Sequence, residues 1–402
     1  MRPFGAILAS GPRAVDENHP RRRPELNRGK RFCRPVPSHS ATPPLPGMQP
    51  RREARVPAAG ASPTAIDSAP VNNLQPGASN AVHVCMNVQK ADRVVIVSDQ
   101  AREAIGRALE VECEAAGAAS KVLLMEDFMN RPTTGLPSPM TDAIRSFQPT
   151  VSFYAAQALQ GELVFRRPYM DLVIYQMKLR HGHMVGITEP LVEQGMAADY
   201  KAIAHITHRV TDAVRSARQI EVTTPSGTDM RATFDPSKRR WHPCPGLYHT
   251  QGEWGNLPEG ETFTSPMSVD GVIGAEVLGD HFSEKYGVLA KPAKFELTGG
   301  RVMKVDAEDE ALQKELETYL AQHENSNRVG EYAIGTNIAL DKLSGNLLQD
   351  EKVPGVHIAF GYPYPEETGA DWTCPSHLDV VATRSTIKVD GQYIMKEGTF
   401  VI

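Results

Sequence analysis

From residue 85 onward, short apolar runs alternate with amphipathic stretches. Arg93-Val-Val-Ile-Val-Ser-Asp99 has the texture of a buried strand, and the Ala-rich segment 102–116 repeats its apolar positions at helical spacing. Further apolar runs occupy 121–125, 151–155, 171–175 and 184–188, and a helix is expected over about 196–218. Continuous apolar strands alternating with helices predict a parallel sheet covered on both faces, so residues 85–218 read as an open α/β domain. Neither GxGxxG nor GxxxxGK[ST] occurs, and nothing supports a dinucleotide or P-loop site.

Beyond Arg218 the texture turns β-rich. Gln219-Ile-Glu-Val-Thr223 and Asp229-Met-Arg-Ala-Thr-Phe234 flank a Pro-Ser-Gly turn, which predicts a hairpin. Short strands are expected near 269–277, 294–305, 331–335, 356–360 and 377–381, with one helix over 308–323. Residues 219–402 therefore read as a mixed-β domain with little helix and no internal repeat.

Composition bounds the partners. The chain has 402 residues, 41% hydrophobic and 23% charged, with a net charge of -5, so no overall basic field recruits nucleic acid or an anionic membrane. No run of about 18 apolar residues is present to span a bilayer. Five scattered cysteines without a CxxC pair exclude a disulfide framework and a thiolate zinc site, and a reducing, cytoplasmic setting is expected. Residues 1–80 differ from the rest: they carry 12 Lys and Arg against 5 Asp and Glu, and 14 of the 31 prolines. Such a segment cannot bury enough surface to offset its ordering entropy, so 1–84 is expected to be a disordered basic extension. A passive tail or mis-called start (Met48 or Met86 being alternatives), a targeting segment and a binding arm remain open for it.

Metal-capable side chains concentrate in the second half. Gly260-Glu261 opens one segment, Gly330-Glu331 starts an otherwise apolar strand, and His357 lies inside the run Val356-His-Ile-Ala-Phe360 with Tyr364 seven residues on. Ser376-His377-Leu-Asp379 places an imidazole and a carboxylate at i, i+2, on one face of a strand. Each has a structural reading alone: a core histidine, a surface turn, a common HxD. Together, three carboxylates and two imidazoles make a ligand set suited to two divalent ions such as Zn²⁺, Co²⁺ or Mn²⁺, with carboxylates able to bridge them.

The ordered set GE(x)FT(x)P, GE(x)(x)IGTN, D(x)(x)(x)PG(x)HIA(x)G(x)(x)Y and SH(x)D resembles the aminopeptidase T/aminopeptidase S (leucyl aminopeptidase) family of metallo-aminopeptidases, from about residue 86 to the C terminus. The resemblance implies a two-domain subunit, a homodimer, and two divalent ions held by Glu261, Glu331, His357, His377 and Asp379, with Tyr364 beside them; by its chemistry Tyr364 suits either an oxyanion donor or plain packing. The implied activity removes N-terminal residues from peptides or amino-acid amides through a water bridging the two ions. Glu253 and Glu259 are candidates for the base by sequence proximity alone. Relatives of the same fold are 2,5-dihydroxypyridine dioxygenases with one Fe²⁺ on two His and one Asp; there a His stands where this chain has Glu331, and the ring-cleaving reaction is the alternative.

Other residues carry weaker expectations. His181 and His183 suggest a loop in a cleft or a dimer contact, His205 and His208 a helix face, and His323 a helix end. Trp254, Trp372 and Tyr248 suit either a side-chain pocket or core packing, and Cys374 is a thiol three residues from His377.

Overall fold

The computed structural model describes residues 73–402 apart from Asp280. The basic extension expected over 1–84 falls largely outside the described residues. Its last part is folded, because Gln75–Ser79 (α1) and the π-helical turn Asn80–Cys85 bury Ala78, Ala81, Val82 and Cys85. Pro76 sits in the first turn of α1, where its missing N–H costs nothing, so a residue that suggested disorder instead starts a helix.

Ten α-helices follow in chain order among the described residues, counting α1: α2 (Glu103–Ala115), α3 (Ser138–Phe147), α4 (Leu163–Met170), α5 (Glu189–Glu193), α6 (Tyr200–Val214), α7 (His281–Tyr286), α8 (Glu310–Ala321), α9 (Leu347–Asp350) and α10 (Pro365–Thr368). The strands are β1 (Arg93–Ser98), β2 (Ala119–Leu124), β3 (Val151–Ala155), β4 (Arg180–His183), β5 (Gln219–Thr223), β6 (Asp229–Thr233), β7 (His242–Cys244), β8 (Trp254–Asn256), β9 (Glu261–Thr264) and β10 (Ser268–Ala275). After these come β11 (Val277–Leu278), β12 (Ala293–Thr298), β13 (Arg301–Asp306), β14 (Val329–Gly335), β15 (Gly355–Gly361), β16 (His377–Thr383), β17 (Thr386–Val389), β18 (Gln392–Lys396) and β19 (Thr399–Phe400).

They form a parallel sheet in the order β2-β1-β3-β4-β8 and two antiparallel sheets, β13-β12-β10-β6-β5-β17-β18-β19 and β11-β16-β15-β14-β9-β7. The α/β region and the β-rich region are thus both present. The division expected at 218/219 is crossed by a strand of the second region, since Trp254–Asn256 pairs in parallel with His181–His183. No helix among the described residues is long and apolar enough to cross a membrane.

Two expected strands are placed differently. The run 171–175 forms the π-helical turn Asp171–Gln176 that continues α4, with Leu172, Val173 and Ile174 buried; an apolar run of that length suits either state, and here the chain enters it from a helix. The strand expected over 184–188 lies earlier, at Arg180–His183. Its polar residues are tolerated inside because each is paired: Arg180 donates to Asp92 at 2.6 Å and to the Met86 carbonyl at 2.7 Å, while His181 meets Ser152 Oγ at 2.8 Å.

The six-stranded sheet has two faces of opposite character. Tyr332, Ile334, Val356, Ile358, Phe360, Leu378, Val380 and Ala382 point into a core shared with the eight-stranded sheet, where Phe360 packs on Phe295 with ring centroids 5.2 Å apart. Strand alternation then turns the odd-numbered residues of β15 and β16 to the opposite face. Phe360→Ala should lower the unfolding free energy by about 3–5 kcal/mol, read from urea denaturation; a loss below about 1 kcal/mol would show that this face does not anchor the sheet.

Candidate metal centre

Register assembles the site. In β14, β15 and β16, Glu331 pairs with Ala359 and Ala359 with Asp379; the next row on the same face is Ala333, His357 and Val381. Gly361 stands opposite His377 at one end, and Gly335 opposite Glu261 on β9 at the other. Alanine and glycine between the polar residues leave room above the sheet. A register shift between Val329 and Glu331 resets the phase, so that Val329 joins the core while Glu331, two residues later, faces the site. At Gly260, φ is 137°, and a Cβ there would lie 2.9 Å from the Asn337 backbone nitrogen; only glycine lets the chain enter β9 with Glu261 so aimed.

The five residues expected as ligands come together. Glu261 Oε2 lies 3.4 Å from His357 Nε2, Glu331 Oε1 lies 3.9 Å from the same nitrogen, and Glu331 Oε2 lies 3.4 Å from His377 Nε2. Asp379 Oδ1 is 3.3 Å from His377 Nε2. Glu261, Glu331, His357 and Asp379 are buried, and His377 is partly open to the cavity. Tyr364 stands edge-on to His377 with ring centroids 5.3 Å apart. His377 Nδ1 donates to the Tyr362 carbonyl at 3.2 Å, which leaves Nε2 turned to the carboxylates as a metal ligand requires.

Two groups that the sequence did not suggest complete the arrangement. Lys352 is fully buried, with Nζ 2.9 Å from Glu259, 2.7 Å from Glu261 Oε1 and 2.8 Å from Glu351. Glu351 in turn groups with His357 and Asp379. Lysine 352 follows an acidic pair at the end of α9, a pattern shared by any surface helix terminus, so nothing in the sequence separated it from a solvated charge. Neither expected base is free: Glu259 is held by Lys352 and accepts from Tyr248 Oη at 3.3 Å, and exposed Glu253 accepts from the Thr250 N–H at 2.7 Å.

The electrostatics identify what the cluster lacks. Burial, with Glu261, Asp379 and Glu351 adding repulsion and His377 opposing, pushes the Glu331 carboxyl well above the usual carboxylate range. Burial also lifts Glu351 to about 8 and Glu259 to about 7, even though Lys352 pulls both down. For His377, burial disfavours the charge, but Asp379 and Glu331 outweigh it and raise the imidazole to about 10. Five carboxylates with only Lys352 and the His377 imidazole as cations are short of positive charge, and Glu261 Oε2 is buried without a hydrogen-bond partner. The donor set of carboxylate oxygens and imidazole nitrogens suits divalent cations.

The face opens into a cavity of about 1250 Å³ that Tyr364, Trp254, His208 and His183 also line. His183 and His181 are buried in strand β4 rather than in a loop, with His181 Nε2 3.1 Å from His183 Nδ1. His205 and His323 are exposed, Trp372 lies under the Arg328 guanidinium, and Tyr248 is buried beside Glu259. Cys374 is buried against Ser376 Oγ at 3.1 Å and lines no part of the cavity.

Among solved structures, wild-type AmpT from Thermus thermophilus is similar at a TM-score of 0.62 and 17% identity, covering 82% of this chain and 99% of that one. A 2,5-dihydroxypyridine dioxygenase from Pseudomonas putida KT2440 is similar at 0.59 and 16%, covering 83% and 98%. At such identity these likenesses establish the fold. No curated protein matches the sequence. A family profile described as thermophilic metalloprotease (M29) matches residues 189–396, which contain every carboxylate and imidazole of the cluster, and the chain therefore belongs to that metalloprotease family.

Proposed function

We propose that this metalloprotease is an aminopeptidase whose divalent ions occupy two adjacent subsites, Glu261–Glu331–His357 and Glu331–His377–Asp379. The observation that carries this reading is the position of Glu331: its two oxygens face different imidazoles, so a single carboxylate belongs to both groups. Divalent ions held there would acidify a water and polarise a peptide carbonyl.

The chain's own residues supply the rest. Lys352 fixes Glu261 through Oε1 and leaves Oε2 directed at His357, so that ligand is oriented before anything binds. Tyr364, at the cavity wall beside His377, is a phenol donor for charge developing on a carbonyl oxygen. Glu351, on the same wall and tethered to Lys352, is the carboxylate placed to accept a proton and return it to the leaving amine. Glu253, Glu284 and Glu367 also line the cavity and suit the cationic α-amine of a peptide.

Purified protein supplied with Co²⁺ or Zn²⁺ should release p-nitroaniline from Leu-p-nitroanilide, lose that activity to chelator, and bind roughly two ions per chain by elemental analysis. No turnover across a panel of amino-acid anilides and amides would overturn the aminopeptidase reading. About one iron per chain with oxygen uptake on a dihydroxypyridine would support ring cleavage instead. Glu331→Gln should weaken metal binding by more than the roughly 10–100-fold seen for outer partners, because it depletes both subsites; retention of full stoichiometry by the variant would exclude the shared ligand. Lys352→Met leaves three carboxylates without their cation and should cost about 3–5 kcal/mol in urea unfolding of chelator-treated protein, whereas a cost under about 1 kcal/mol would remove Lys352 as their counter-ion.

A further inference from the structure

The metal-capable face is not the whole wall of the cavity. Leu159, Leu163, Arg166, Met170, His183 and Val185, all from the parallel-sheet region, line it as well. Arg166, on α4, is distinctive among them. Its Nε is buried with no hydrogen-bond partner, and its guanidinium forms no ion pair with any described carboxylate. Glu162, one turn earlier on the same segment, is consumed by Arg131 at 2.9 Å and by the Thr133 N–H at 3.1 Å. In a chain with more acids than bases, a half-buried guanidinium on a cavity wall that forms no ion pair is an exception, and a buried donor left unpaired points to a missing partner.

His183 lies within the reach of that charge. Burial, then the His181 ring and Arg166, hold the His183 imidazole well below its usual range, so it is neutral. Its Nδ1 is taken by His181 Nε2, and His181 Nδ1 by Ser152 Oγ at 2.8 Å, while its ring stacks on Tyr154 at 5.2 Å. The remaining ring nitrogen, Nε2, is the polar edge left for the cavity that His183 lines, and it donates or accepts according to the tautomer of the pair.

We propose that Arg166, with His183 beside it, receives the free α-carboxylate of a short peptide, so that the substrates of this enzyme are di- and tripeptides carrying both termini. The proposal rests on the aminopeptidase reading and names its substrate class. A guanidinium fork matches a carboxylate in two parallel hydrogen bonds, which no uncharged residue reproduces. A zwitterionic peptide also fits the distribution of charge, with the buried carboxylate cluster on the antiparallel-sheet wall, the Arg166 guanidinium on the parallel-sheet wall, and Leu159, Leu163, Met170 and Val185 offering apolar surface for side chains. Arg166 is a positioning residue for the substrate and takes no part in bond cleavage.

The test compares Leu-Gly with Leu-Gly-amide, which differ only in the carboxylate, on the metal-loaded full-length protein. The native enzyme should favour the free acid by about ten- to a hundredfold in kcat/KM. In Arg166→Met that ratio should collapse toward one through a raised KM for the acid, and Arg166→Lys should retain an intermediate ratio. A native ratio near one, or a parallel fall for both substrates in Arg166→Met, would overturn the proposal. If neither compound is hydrolysed and Leu-p-nitroanilide is also inert, the aminopeptidase reading fails by itself; calorimetric binding of the same pair to native and Arg166→Met protein then decides the carboxylate site on the same ratio.

Discussion

Five carboxylates held on or beside one sheet face, with one lysine among them, are the constraint on which the rest of this structure turns. Glu259, Glu261, Glu331, Glu351 and Asp379 are drawn together although their mutual repulsion and their burial both oppose it. What holds them is the other side of the same strands. The apolar residues of β14, β15 and β16 are locked into the largest core among the described residues, and alternation along a strand leaves the intervening side chains no choice of face. The stability of the core is thereby spent on a surface that is unfavourable until cations reach it.

Spacing on that face is set by what is small. Ala333 and Ala359 stand in the rows of His357 and Glu331, and glycine occupies the row ends. At Gly361 a Cβ would lie 2.2 Å from the Ser376 carbonyl, so the strand carrying His377 could not approach a larger residue. Lys352 contributes order of another kind: by occupying the group formed with Glu259 and Glu261 it fixes which oxygens stay available, and it divides a diffuse acidic patch into separate donor groups.

The cavity joins two kinds of wall. An antiparallel sheet supplies the dense donors, and the carboxyl-terminal side of a parallel sheet, through β4, the segment after β3 and α4, supplies apolar surface, an imidazole pair and a guanidinium. Strand β8 ties the regions together, because it hydrogen-bonds to β4 while its chain runs on within five residues to Glu261. The metal-capable side chains thus lie on one wall and the unpaired guanidinium on the other.

Much of this was legible in the residue order. The apolar runs 356–360 and 377–381 named the strands, the i, i+2 spacing put His377 and Asp379 on one face, and the run 93–98 with its following helix named the α/β region. Short apolar runs were ambiguous: 171–175 became a π-helical turn, and Gln75–Cys85 folded within a segment whose prolines suggested otherwise. Lys352, Glu351 and Arg166 had no sequence mark at all. Their roles arise from desolvation and from contacts across the sheets, quantities that depend on which distant residues surround a charge, and only the folded chain determines those neighbours.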